Sequence, residues 1–261
     1  KVSLLEALAS VLSKCGSKVS PTVYNKLIEG FQYTLLSCEG GGNLDSNSYM
    51  MLMGQIEVVS GKVFKYICQN ADEDVVMSLL TNLVEEDESD NFFTTCSKML
   101  AVSNGICGVY GNNKIMSTVT EGSQGEHPID TFRQNQLLPF IKSYLTGSGT
   151  NMSTDADSMT INEALRVAAT KSVNVLLGPL VVEVASVSSE VLREYRRNNR
   201  ALIKYFASDL VKYSTTDDGS GVGSELLMAG INAVKTVSIS YVYYLKILYN
   251  YILFYSYIID I

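Results

Sequence analysis

Residues 160–187, TINEALRVAATKSVNVLLGPLVVEVASV, carry a helical rhythm, a break and a β-like run in succession. Thr160 and Glu163 have the S/T-x-x-E spacing in which each side chain satisfies a backbone N–H of a helix's first turn, so a helix is expected to begin there. Ile161, Leu165, Ala168, Ala169 and Leu176 then recur at helical spacing and lay one apolar stripe toward a core. Gly178 permits a left-handed exit, and Pro179 cannot continue the helix because its ring fixes φ and it has no N–H. Beyond the break, Val182 and Val184 fall on one face and Val181 and Glu183 on the other, which is the pattern of a strand. The expected fold is therefore mainly α: a multi-helix array with a minor β element near 106–119 and 179–187.

Upstream of this stretch, a polar linker over 147–159 closes off a helical array at 1–146. The array opens with Leu4, Leu5, Leu8, Val11 and Leu12 at helical spacing and stops at Gly16. Ser20-Pro21 joins a cap to proline at a first helical position, predicting a second helix to about residue 37 with Val23, Tyr24, Leu27, Phe31 and Leu35 inward. After a glycine-rich break come a third helix over 49–68 and a fourth over 75–84. The fourth is headed by Asp72, Glu73 and Asp74, where the helix dipole favours acids. The acidic run 85–90 reads as a solvated connection to a fifth helix over 92–103. Residues 106–119 alternate around Gly111-Asn112-Asn113, fitting a hairpin or an irregular loop. Asp130 is expected to cap a helix reaching Tyr144, kinked at Pro139.

Downstream, 160–236 forms a strand-containing helical unit, in which a long helix from Ser189 turns Leu192, Tyr195, Leu202, Phe206 and Leu210 inward. An ungapped comparison aligns Leu27, Phe31, Leu35, Met53 and Ile56 with Leu202, Phe206, Leu210, Met228 and Ile231. The unit thus reads as a copy of the helix-loop-helix at 20–60, or as two amphipathic helices that coincide by chance. The tail 237–261 is rich in tyrosine and aliphatic residues. Lys246 opposes a transmembrane reading, and a membrane-associated segment, a buried helix and a translated non-coding extension remain alternatives. Lys1 opens the chain without a methionine or leader, as expected of a fragment or processed form.

The 46% hydrophobic content of the 261 residues excludes a disordered chain. A net charge of -7 repels a phosphate backbone, so no nucleic-acid partner is expected. The five cysteines form no C-x-x-C pair and His127 is the single histidine, so neither a metal site nor a cofactor is expected. The cysteines read either as buried free thiols or as disulfides. In an up-and-down bundle Cys15 and Cys68 fall at one end and Cys38 and Cys96 at the other, with Cys107 left over, a pairing that would suit an oxidising compartment.

Catalytic motifs fail on inspection. Gly219-Ser220-Gly221-Val222-Gly223-Ser224 resembles a phosphate loop but lacks the lysine. Asp155 and Asp157 hint at calcium, but Met159 and Arg166 occupy positions that need oxygen ligands. His127 beside Pro128 has no nucleophile context, and no enzyme is expected. The most pointed cluster is Arg193, Arg196, Arg197, Arg200 and Lys204 along one helix face. It reads as a solvated face softened by Glu190 and Glu194, or as a site for an acidic partner or a lipid surface.

Helices of the type Leu4-Leu5-Glu6-Ala7-Leu8-Ala9, leading to the Gly178-Pro179-Leu180-Val181-Val182 run, resemble the extracellular helical region of REJ/GAIN-type, polycystin-like membrane proteins. The resemblance spans at most 2–187. It implies an extracellular or membrane-anchored stalk in adhesion or signalling. The His-Leu-Ser/Thr cleavage tripeptide of that group is absent, since Pro128 follows His127, so self-cleavage is not implied. The expected function is a non-catalytic structural or interaction module with a protein partner, membrane contact being available through the tail. The alternative is an intracellular helical adaptor using the basic face. Asn151-Met152-Ser153 is a glycosylation sequon, relevant only to the first of these.

Overall fold

The computed structural model describes residues 2–15, 22–23, 26, 46–85, 90, 92–120, 128–149, 152 and 159–177, and further on 205–206, 208–209, 212, 228, 230–232 and 235. The described part is mainly α, and among the described residues there is no strand. The chain divides into two compact units, Lys1–Leu176 and Leu177–Ile261.

The first unit contains α1 (Val2–Cys15), α2 (Ser46–Asn70), α3 (Glu73–Val84), α4 (Phe92–Val109), α5 (Asn113–Thr120), α6 (Pro128–Phe132), α7 (Leu138–Thr146) and α8 (Met159–Leu177). A π turn, Arg133–Leu137, joins α6 to α7. The boundary between units falls at the last residue of α8, Leu177, so α8 up to Leu176 groups with the N-terminal helices. Two thiols show why: Cys96 Sγ lies 3.9 Å from the Ala164 carbonyl and Cys107 Sγ donates to the Val175 carbonyl at 3.3 Å. Both contacts join residues 68 positions apart, so α8 runs parallel to α4.

Helix α4 is the centre of the unit. From Thr94 to Val109 only Lys98 and Asn104 escape full burial, as expected of a helix packed on all sides. It lies most extensively against α2, which in turn carries α1 on another side. Gly61 of α2 sits beside Asn104, and Lys65 of α2 beside Gly108, with equal separation along the chain, so α2 and α4 are also parallel. A Cβ added at Gly108 would lie 2.1 Å from the Lys65 carbonyl oxygen, which means backbone touches backbone there. α3 packs against α4 and turns its i, i+3, i+4, i+7 stripe of Val76, Leu79, Leu80 and Leu83 inward. Glu73 and Asp74 occupy its first turn, as the sequence predicts.

The hairpin or loop expected over 106–119 is corrected to helix, turn and helix. Ile106–Val109 complete α4, Tyr110 and Gly111 turn, and α5 follows. The apolar spacing serves two helices interrupted at the turn, with Ile106, Val109, Ile115 and Met116 all buried. Asn112 holds the junction. Its Nδ2 donates to the carbonyls of Cys68 (2.9 Å) and Ala71 (2.8 Å) at the end of α2, while Oδ1 accepts from the N–H groups of Lys114 (3.1 Å) and Ile115 (3.4 Å) at the start of α5. One side chain therefore satisfies carbonyls at one helix end and N–H groups at another. The second β element, expected at 179–187, lies outside the described residues.

Pro128 opens α6 at a position where its missing N–H costs nothing. The kink expected at Pro139 takes the form of the π turn, in which the Leu138 N–H donates to the Arg133 carbonyl. Widening the helix here relieves the clash a proline ring makes with the carbonyl four residues back. α7 ends at Gly147, whose φ of 85° is left-handed, with the Ser148 N–H returning to the Ser143 carbonyl at 2.8 Å. α8 already includes Met159, so Thr160 lies inside the helix rather than capping it from outside. Its expected stripe holds, with Leu165, Ala168, Ala169 and Leu176 buried.

In the second unit Phe206 is fully buried, as its expected inward position requires, and meets the Tyr205 ring edge-on at 5.0 Å. Met228 and Ile231, aligned with Met53 and Ile56 in the duplication reading, are exposed.

Two glycines should respond oppositely to alanine. Gly54 has nothing within 4 Å of an added Cβ, so Gly54→Ala should stabilise by about 0.5–1 kcal/mol through helix propensity. Gly108→Ala should destabilise by at least about 2 kcal/mol, because backbone overlap outweighs the same gain. The midpoints of urea unfolding measure both. Asn112→Ala should lose about 3 kcal/mol, combining a lost cap with two carbonyls stripped of their donor. Asn112→Asp should be more harmful at pH 7 than at pH 4, since an ionised carboxylate would face the Cys68 and Ala71 carbonyls; equal losses at both pH values would contradict this account.

Candidate functional site

Among the described residues, the main buried charged assembly lies where the π turn meets the end of α4. Phe132, Leu137 and Ile141 anchor the α6–α7 segment in the core, and that anchoring draws Arg133 in to 3% exposure. Its Nη2 is 3.3 Å from Asp130 Oδ1, one turn back, and Nη1 donates to the Tyr110 hydroxyl at 2.7 Å. Asp130 is itself 9% exposed. Burial of two opposite charges is tolerated because each stays close to the other and the guanidinium has further donors to place. Tyr110 is held above its ordinary pKa, mainly because burial disfavours the phenolate, and the Arg133 charge only partly offsets this. The cluster ties three segments together through a fixed fork of N–H donors. The Asp130–Arg133 spacing of i, i+3 within an apolar helix was the sequence signal for it, whereas the partnership with Tyr110 comes from the fold.

A second ionic contact closes the acidic connection between α3 and α4. Lys98 pairs with Asp90, whose side chain is 7% exposed, and also donates to the Glu85 carbonyl at 3.2 Å. The two described ends of the acidic run 85–90 are thereby gathered on one lysine. Lys114 and Asp72 pair at 2.8 Å on the surface, where solvent leaves such a contact little weight.

Cys68, Cys96 and Cys107 are buried and lie in no disulfide. The bridges expected as Cys15 with Cys68 and Cys38 with Cys96 are therefore not formed in this structure. Cys68 instead lies against α4, its Sγ 3.2 Å from where a Gly105 Cβ would stand, and Cys96 and Cys107 face carbonyls of α8. Cys38 and the Cys15 thiol lie outside the described residues. Burial pushes the Cys68 thiol up to about 12, leaving it protonated and a poor nucleophile at neutral pH.

The basic cluster of Arg193, Arg196, Arg197, Arg200 and Lys204 lies outside the described residues. So do His127, the Asp155 and Asp157 pair, the glycine-rich 219–224 loop and the tail 237–261. Among the described residues, no group of three or more His, Cys, Asp or Glu is placed to hold a metal, and no helix is long and apolar enough to cross a membrane. The described surface does carry one apolar feature. Leu4 and Val11 of α1 are 74% and 55% exposed and share a side with exposed Ala7, while Ala9 and Leu12 on the other side are buried. Comparison with protein-family models, with curated proteins and with solved structures finds no match.

Arg133→Met should cost about 3–5 kcal/mol, because Asp130 would remain buried without its cation, and Asp130→Asn added to it should recover much of that loss. A double-mutant cycle by chemical unfolding measures the coupling, and simple additivity would refute it. The raised Cys68 and Tyr110 values make the fold favour their protonated forms. That contribution is complete below the ordinary thiol value of 9.0 and is lost as pH climbs toward about 12. Unfolding free energy should therefore fall over that interval, and fall less steeply in Cys68→Ala.

Proposed function

We propose that this chain is a non-catalytic helical interaction module that meets a protein partner, serving in an extracellular adhesion or signalling protein of the kind the REJ/GAIN resemblance implies. The observation that carries the proposal is the outward stripe of α1. A helix needs one apolar side to pack, and α1 already buries Ala9 and Leu12. Leu4, Ala7 and Val11 add a second side at i, i+3, i+7 spacing, the register by which a helix presents anchors to a partner. Val58 of the neighbouring α2 is also 54% exposed.

How the buried polar groups are used supports the non-catalytic part. Asn112 joins helix ends, Arg133 and Asp130 fasten the π turn, and the Cys68 thiol is protonated at neutral pH. Each of these groups serves the fold.

The intracellular adaptor is the second reading, and one observation supports it: the buried Cys68 lies in no disulfide, as suits a reducing compartment. In that reading the partner is acidic or a membrane surface, and the contact runs through Arg193, Arg196, Arg197, Arg200 and Lys204. In the extracellular reading, membrane contact falls to the tail 237–261.

The test concerns the α1 stripe. Leu4→Ser with Val11→Ser should leave the unfolding midpoint within about 0.5 kcal/mol of the parent, as expected for surface positions. The same pair should weaken partner capture in proximity labelling of cells that express the full chain. A loss of 2 kcal/mol or more would mean that the stripe packs within the chain, and the interaction reading would fall.

A further inference from the structure

We draw no further inference here: the strongest candidate, the buried Asp130–Arg133–Tyr110 cluster at the π turn, belongs to the helix junction already described, and nothing beside it among the described residues points to a ligand.

Discussion

The contact between Gly108 and the Lys65 carbonyl sets the geometry on which the first unit depends. At Gly108 the backbones of α2 and α4 touch, and nearby Gly61 makes room for the Asn104 side chain and Gly105 for Leu80 and the Cys68 thiol. Helices normally stand about 8–10 Å apart, spaced by the side chains between them, and glycine removes that spacer. Close approach then fixes other distances. Leu80 of α3 can reach Gly105, and the Cys68 thiol is shut away from water. Asn112, just past the end of α4, comes within hydrogen-bond range of the last carbonyls of α2.

Around that contact, the structure handles buried polar groups by joining elements with them. Asn112 links α2 to α5, Arg133 links the π turn to the end of α4, and Lys98 gathers the two described ends of the acidic connection. Ser103 and Thr170 return their hydroxyls to carbonyls four residues back in their own helices. Two buried hydroxyls, on Ser97 and Ser172, have no hydrogen-bond partner, and nothing in the structure explains them. Asn112, Arg133 and Lys98 thus each join elements that the chain itself separates.

The surface reading rests on asymmetry within α1. A helix with apolar residues over more than half its circumference can satisfy two neighbours, and α2 is one of them. Cys68 lies in no disulfide, and the described unit is held by packing and by hydrogen bonds such as those of Asn112.

Helical character, the stripe of α8 and the acids at the start of α3 were legible in the sequence, because each depends on residues within a turn or two of one another. The 106–119 stretch was not, since its apolar spacing suits either a hairpin or two short helices. The choice is made by the end of α2, whose open carbonyls receive Asn112. The same holds for the Arg133–Tyr110 bond, the burial of Cys68 against α4, and the place of α8 up to Leu176 in the first unit. The sequence by itself determined where backbone groups could be satisfied locally. Only the tertiary structure decided which distant segments came close enough to satisfy the rest, because that depends on how near α2 and α4 can approach where Gly108 meets the Lys65 backbone.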